Sequence, residues 1–173
     1  MVQLPRTHLD ARFSEPTATA TGWPRAVEQL TWADQLWIAT QRADGPPHLT
    51  PVLGVWFDVA VHVCTGAEEQ KHRNLERDPR CTLLAGTGRS TDGLDVVVEG
   101  VARRVTDEGV LQVLAERWVE KYGQTWRFEV RDQAFWHGDG GGPAHVFAIA
   151  PERAFAFAKS PAGQTTFRFS AGG

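Results

Sequence analysis

The residues best suited to chemistry stand in one segment, Thr65-Gly66-Ala67-Glu68-Glu69-Gln70-Lys71-His72-Arg73-Asn74-Leu75. A β-run over residues 60–65 stops at a glycine there, and a short polar helix begins. Unpaired backbone N–H groups and the positive end of a helix dipole favour an anion at such a junction, and Lys71 adds a mobile ammonium. Lys71, Asn74 and Leu75 follow at i, i+3 and i+4 and share one side of the helix. One lysine after a Thr-Gly turn equally suits a solvated helix face, so the segment by itself does not define a site. Elsewhere the chemistry is thin. Cys64 and Cys81 occupy separate β-runs without CxxC or Cys/His spacing and read as buried free thiols. His8, His48, His62, His72, His137 and His145 are scattered and form no metal motif, so no metal is expected.

Composition narrows the classes. A chain of 173 residues suits one domain with a proper core. A net charge of −3 and a pI near 6.1, with no basic block, argue against a nucleic-acid or anionic-membrane partner. Seven Trp and nine Phe against one Tyr and one Met imply a wide barrel interior or a flat ligand slot. Residues 1–22 hold no apolar signal-like run and no window resembles a membrane span, so a soluble, cytoplasmic protein is expected.

The elements that must position the segment read as follows. Residues 1–23 form a polar arm, mobile or packed on a partner subunit, and residues 24–170 form the folded domain. Pro24 opens a short helix at 24–33. Leu36–Arg42, the turn at Asp44-Gly45-Pro46 and His48–Trp56 make a hairpin, and a turn near Asp58 leads into Ala60–Thr65. Asp78-Pro79 ends the polar helix, and Arg80–Thr87 is the next strand. Leu94–Val105 is a long β-run with a bend or bulge at Glu99-Gly100. Thr106 is placed to cap a helix over 107–122, with Val110, Leu114, Trp118 and Tyr122 as its core stripe. Residues 123–143 read as a loop containing a short strand or helix and a flexible run at Gly138–Pro143. His145–Ala150 and Arg153–Lys159 are separate strands divided by Pro151-Glu152, and Thr165–Phe169 is a last edge strand. The sum is a mainly β fold: a split antiparallel barrel of six to eight strands, with one long and one or two short helices.

In that order, over residues 34–169, the chain resembles the pyridoxamine 5′-phosphate oxidase-like, flavin-binding split-barrel family. Leu36–Thr40 with Asp44-Gly45 resembles its first hairpin, and His48-Leu49-Thr50-Pro51-Val52 resembles its "PHVTPV" strand. Cys64-Thr65-Gly66, Lys71, Asn74, Leu75 and Arg77–Arg80 resemble "TG…K…NL.RDPRV". Asp95–Ala102 resembles "VVVEGEA", and Gln164–Phe169 resembles the "QTRWRF" close. The resemblance implies a homodimer with two flavin sites between subunits, FMN as cofactor, and hydride transfer to or from a small organic substrate. By position it places Thr50, Pro51 and Val52 along the ring and ribityl chain, Thr65 and Lys71 on the phosphate, and Asn74 near it. His48, Leu49, Cys64, Gln70 and Asp95 complete the motif positions assigned to the cofactor.

Three departures stand out. Gln70 replaces an arginine common in relatives, and Thr166 replaces the arginine of the closing motif. Glu68 and Glu69 would repel a phosphate unless they point away from it. Neither the substrate-phosphate cluster nor the basic C-terminal end of true pyridoxamine 5′-phosphate oxidases is present, so vitamin B6 oxidation is not expected. The alternatives are a deazaflavin (coenzyme F-420) reductase of the same fold, or a non-catalytic flavin or haem binder, with His48, His62 and His72 as candidate axial ligands.

Overall fold

The computed structural model describes residues 4–138 and 140–170. Asp139 of the glycine-rich loop, the first three residues of the expected arm and the 171–173 tail lie outside it. The fold is a split antiparallel barrel organised on one long strand. Among the described residues eleven strands join one sheet, more than the six to eight expected. They are β1 (Arg6–Leu9), β2 (Leu36–Gln41), β3 (Pro47–Val52), β4 (Gly54–Phe57), β5 (Ala60–Gly66), β6 (Arg80–Ala85), β7 (Leu94–Arg104), β8 (Phe128–Arg131), β9 (Ala134–His137), β10 (Ala144–Lys159) and β11 (Ala162–Arg168).

β10 is the spine. The two strands expected on either side of Pro151-Glu152 are one, and β7 pairs along both halves of it. On its other edge, the half before Pro151 pairs with β5 and the half after it pairs with β11. The sheet splits at that change of partner. Pro151 has no N–H to give to a ladder, and it falls where the β7 register shifts, between Pro151 and Arg153. The irregularity expected in β7 at Glu99-Gly100 is therefore in the facing strand. β7 itself pairs with β6 without a break, and Gly100 serves close approach, since a Cβ there would stand 2.4 Å from the Ala150 carbonyl oxygen.

The remaining extra strands have local causes. Residues 128–137 form the β8–β9 hairpin, turning at Asp132-Gln133 with both φ positive (52° and 57°) and no glycine. Arg6–Leu9, expected within the arm, pairs with β11 of its own chain, so β11 is not the edge strand. The expected 48–56 run breaks at Leu53 into β3 and β4.

Two cores lie on either side of the spine. Inside the barrel, Leu36, Ile38, Leu83, Val96, Val98, Ala154, Ala156 and Phe167 are buried, closed by Ala26 and Leu30 of α1 (Trp23–Trp32). The second core packs α3 (Glu108–Tyr122) on β4, β8 and β9. Its buried face is Leu111, Leu114, Ala115 and Trp118, whereas Val110 is exposed. The expected every-fourth-residue stripe drifts off the core because the helix repeats every 3.6 residues. Asp107, not Thr106, is the cap: its carboxylate accepts from the Val110 N–H at 2.9 Å. Among the described residues no helix is long and apolar enough to cross a membrane.

Candidate functional site

The site is built where β5 hands over to α2 (Gln70–Arg77). A turn over 66–69, closed by the Glu69 N–H on the Gly66 carbonyl at 3.0 Å, brings strand end and helix start together. Three donors converge there. The Gly66 N–H donates to Glu69 Oε1 at 2.8 Å, the Thr65 hydroxyl lies 3.1 Å from the same oxygen, and the Lys71 ammonium donates to Glu69 Oε2. An N–H, a hydroxyl and an ammonium are the donors a phosphate requires. Here they hold a carboxylate of the chain itself. Glu69, needed away from a phosphate, points into the donor set, where its negative charge pairs with Lys71. These bonds hold its carboxyl below the usual range against the opposing effect of burial.

The next layer fixes α2 in place. The Asn74 amide donates to Thr40 Oγ1 of β2 at 2.9 Å, and Gln70 donates to Asn74 Oδ1 at 2.8 Å. Asn74 thus anchors the helix to the barrel, and Gln70 braces Asn74. On the far side His72, buried, shares a 2.7 Å hydrogen bond between its Nε2 and Nδ1 of His145 on β10. Burial, together with the positive charge of Arg104, lowers the His145 pKa.

β3 runs past the same corner with alternate residues facing in. His48 Nδ1 and Thr50 Oγ1 are buried on that inward face, and neither has a hydrogen-bond partner among the described residues. Buried polar atoms without partners are uncommon, and two at positions i and i+2 suit a ligand edge. Burial and the charges of Arg42 and Lys71 lower the His48 pKa. Val52, next on that face, joins the barrel core.

The other expected residues lie apart. Leu49 and Pro51 are exposed on the outer face of β3. Cys64 packs against the α3 core, and burial, with the Glu69 charge, pushes its thiol up to about 12, so it stays protonated. Asp95 pairs with Lys159 at 2.8 Å and accepts from the Thr87 N–H at 2.9 Å, in a separate cleft lined by Trp32, Trp37 and Arg89. Thr40, Glu69 as a ligand of the donor set, and His145 were not foreseen. Only Glu69 carried a signal, its position two residues before Lys71.

Across the outer sheet face, the pairing aligns Pro51, Trp37, Leu84, Val97 and Phe155 in one row over five strands. Phe157 stacks beside Phe155, with centroids 6.4 Å apart, and Leu49 is 61% exposed on the same face.

A mainly antiparallel split barrel with a cluster of hydrogen-bond donors between a strand and a short helix defines the class. The family model described as Pyridoxamine 5′-phosphate oxidase matches residues 23–158, most of the chain, and the chain belongs to that family. No curated protein matches it. Among solved structures it is similar to the conserved hypothetical protein Rv2991 from Mycobacterium tuberculosis, at 21% identity and TM-score 0.65, covering 96% of this chain and 98% of that one. It is similar to HutZ, the haem storage protein from Vibrio cholerae, at 19% identity and TM-score 0.61, covering 79% and 93%. A pyridoxamine 5′-phosphate oxidase-related, FMN binding protein from Nostoc punctiforme is similar at 11% identity and TM-score 0.57, covering 82% and 85%.

Proposed function

We propose that this chain is a flavin-dependent oxidoreductase that binds FMN at the β5–α2 corner and moves a hydride to or from a small organic substrate. The carrying observation is the convergence of the Thr65 hydroxyl, the Gly66 N–H and Lys71 on one carboxylate, beside the unpartnered His48 Nδ1 and Thr50 Oγ1. The three donors would take the phosphate once Glu69 leaves, and the inward edge of β3 would take polar atoms of the ribityl chain or ring. Asn74 holds the helix that carries Lys71, and Gln70 holds Asn74. A bound flavin supplies the hydride chemistry; the residues of this chain bind it, orient it and exclude water. Family membership and the similarity to an FMN binding protein support the reading.

The deazaflavin F-420 is the second choice. Gln70 is engaged with Asn74, so Lys71 is the cation of the donor set, which suits a singly charged phosphodiester as well as a phosphate dianion. Titration of the purified protein with FMN, F-420 and haem in one buffer, followed by visible absorbance, tests the assignment. FMN should bind tightest. F-420 binding ten-fold tighter, about 1.4 kcal/mol, would replace it, and haem binding alone would replace the flavin reading.

We also propose a homodimer formed through the apolar row on the outer sheet face. Its residues alternate with those of the barrel core, and a second copy offers the same row for a two-fold, self-complementary contact. Light scattering should give about twice 19.1 kDa.

A further inference from the structure

We infer that Glu69 is a displaceable internal ligand of the β5–α2 corner, a carboxylate that any phosphate must eject before it binds and that sets the charge the corner accepts. The inference rests on the proposed site but not on which cofactor fills it. Both carboxylate oxygens are engaged, Oε1 by Thr65 and Gly66 and Oε2 by Lys71. The space above Gly66 is covered by Glu69: a Cβ built there meets Glu69 Oε1 at 3.5 Å, Cγ at 3.7 Å and Cδ at 4.0 Å as its nearest neighbours. With Glu69 turned away, the Gly66 backbone would lie open to a ligand oxygen.

Glu69 is free to turn. Its side chain is 49% exposed, whereas that of Lys71 is 11% exposed and stays in the corner. Glu69 is also the N-cap residue of α2, yet its side chain makes no capping bond to that helix. The donors of the corner therefore outcompete the helix end for the carboxylate, as they would for a phosphate. Once ejected, Glu69 remains tethered beside the ligand. The corner then offers one ammonium with a carboxylate close by, whose repulsion offsets part of what Lys71 gives to any phosphate.

Glu69→Gln tests this, because the amide keeps an oxygen for Thr65 and Gly66 while removing the charge that competes for Lys71. FMN, riboflavin and inorganic phosphate are titrated into both proteins, the phosphate followed by phosphorus NMR line width. FMN and inorganic phosphate should each bind about three- to five-fold tighter to the variant, with riboflavin changed less than two-fold. Glu69→Asp, whose shorter side chain is suited to cap α2, should also tighten FMN. Unchanged or weaker binding of FMN and phosphate in both variants would overturn the inference while leaving the flavin assignment standing. Tighter phosphate binding in a protein that takes no flavin would uphold the role of Glu69 and overturn the flavin assignment.

Discussion

Lys71→Ala is the substitution that most directly probes the proposed site, and its magnitude follows from what the lysine touches. A charge-assisted hydrogen bond to a phosphate is worth about 1.5–3 kcal/mol. The wild-type protein must first break the Lys71–Glu69 pair, and with Glu69 half exposed that pair is worth at most about 1 kcal/mol. The difference, about 0.5–2 kcal/mol, predicts that FMN binds roughly two- to thirty-fold more weakly to the variant. Riboflavin lacks the phosphate and should bind both proteins alike. Calorimetric titration with the two ligands gives the comparison directly, and the free variant should fold normally because Glu69 keeps its bonds to Thr65 and Gly66. Equal losses for FMN and riboflavin would mean that Lys71 only holds the fold. No loss for either would remove the phosphate from this corner.

Val97→Lys, at the centre of the apolar row, should convert a dimer into 19.1 kDa monomers in light scattering; a wild-type monomer that still binds FMN would refute a site shared between subunits. Gly100→Ala forces a Cβ against the Ala150 carbonyl at the middle of β10 and should cost about 1–3 kcal/mol in denaturant unfolding. Burial lowers the His62 pKa to about 4 from its ordinary 6.5, so the unfolded chain binds the proton first as the medium acidifies. Its contribution is complete above pH 6.5 and is lost as the pH falls from 6.5 towards 4, reaching about 3 kcal/mol. The slope of unfolding free energy over that range should be shallower in His62→Gln than in the wild type, and parallel slopes would show that His62 titrates normally.

Much of the fold was legible wherever a local rule had no competitor. The β-run read at Leu36–Arg42 is β2, Leu36–Gln41, and Asp78-Pro79 ended α2 where the structure ends it. The failures have specific causes. Pro151 reads as a terminator because it lacks an N–H, but β10 meets it at a point where the register shifts and the opposite edge changes partner. The β8–β9 hairpin carries no glycine, since Asp132 and Gln133 adopt positive φ themselves, so no turn residue announced it. Arg6–Leu9 has no alternation to detect because only its pairing with β11 holds it in place.

The site divides in the same way between local and long-range information. Thr65, Lys71 and Asn74 are within one strand end and one helix, so their grouping follows from helical spacing alone. Thr40 and His145 reach that helix from strands 34 and 73 positions distant, and no spacing rule connects them to it. Glu69 was read only for its repulsion of a phosphate, whereas the strongest attraction available to Lys71 within the chain is the nearest carboxylate. Residues suited to attract an anion attract one of the chain's own when it lies within reach, so the conformation of such a corner depends on the neighbouring acids as much as on the donors. In this chain the acid sits two positions before the lysine, at the turn that aims it back, and affinity for any phosphate is therefore a difference between two anions competing for the same three donors.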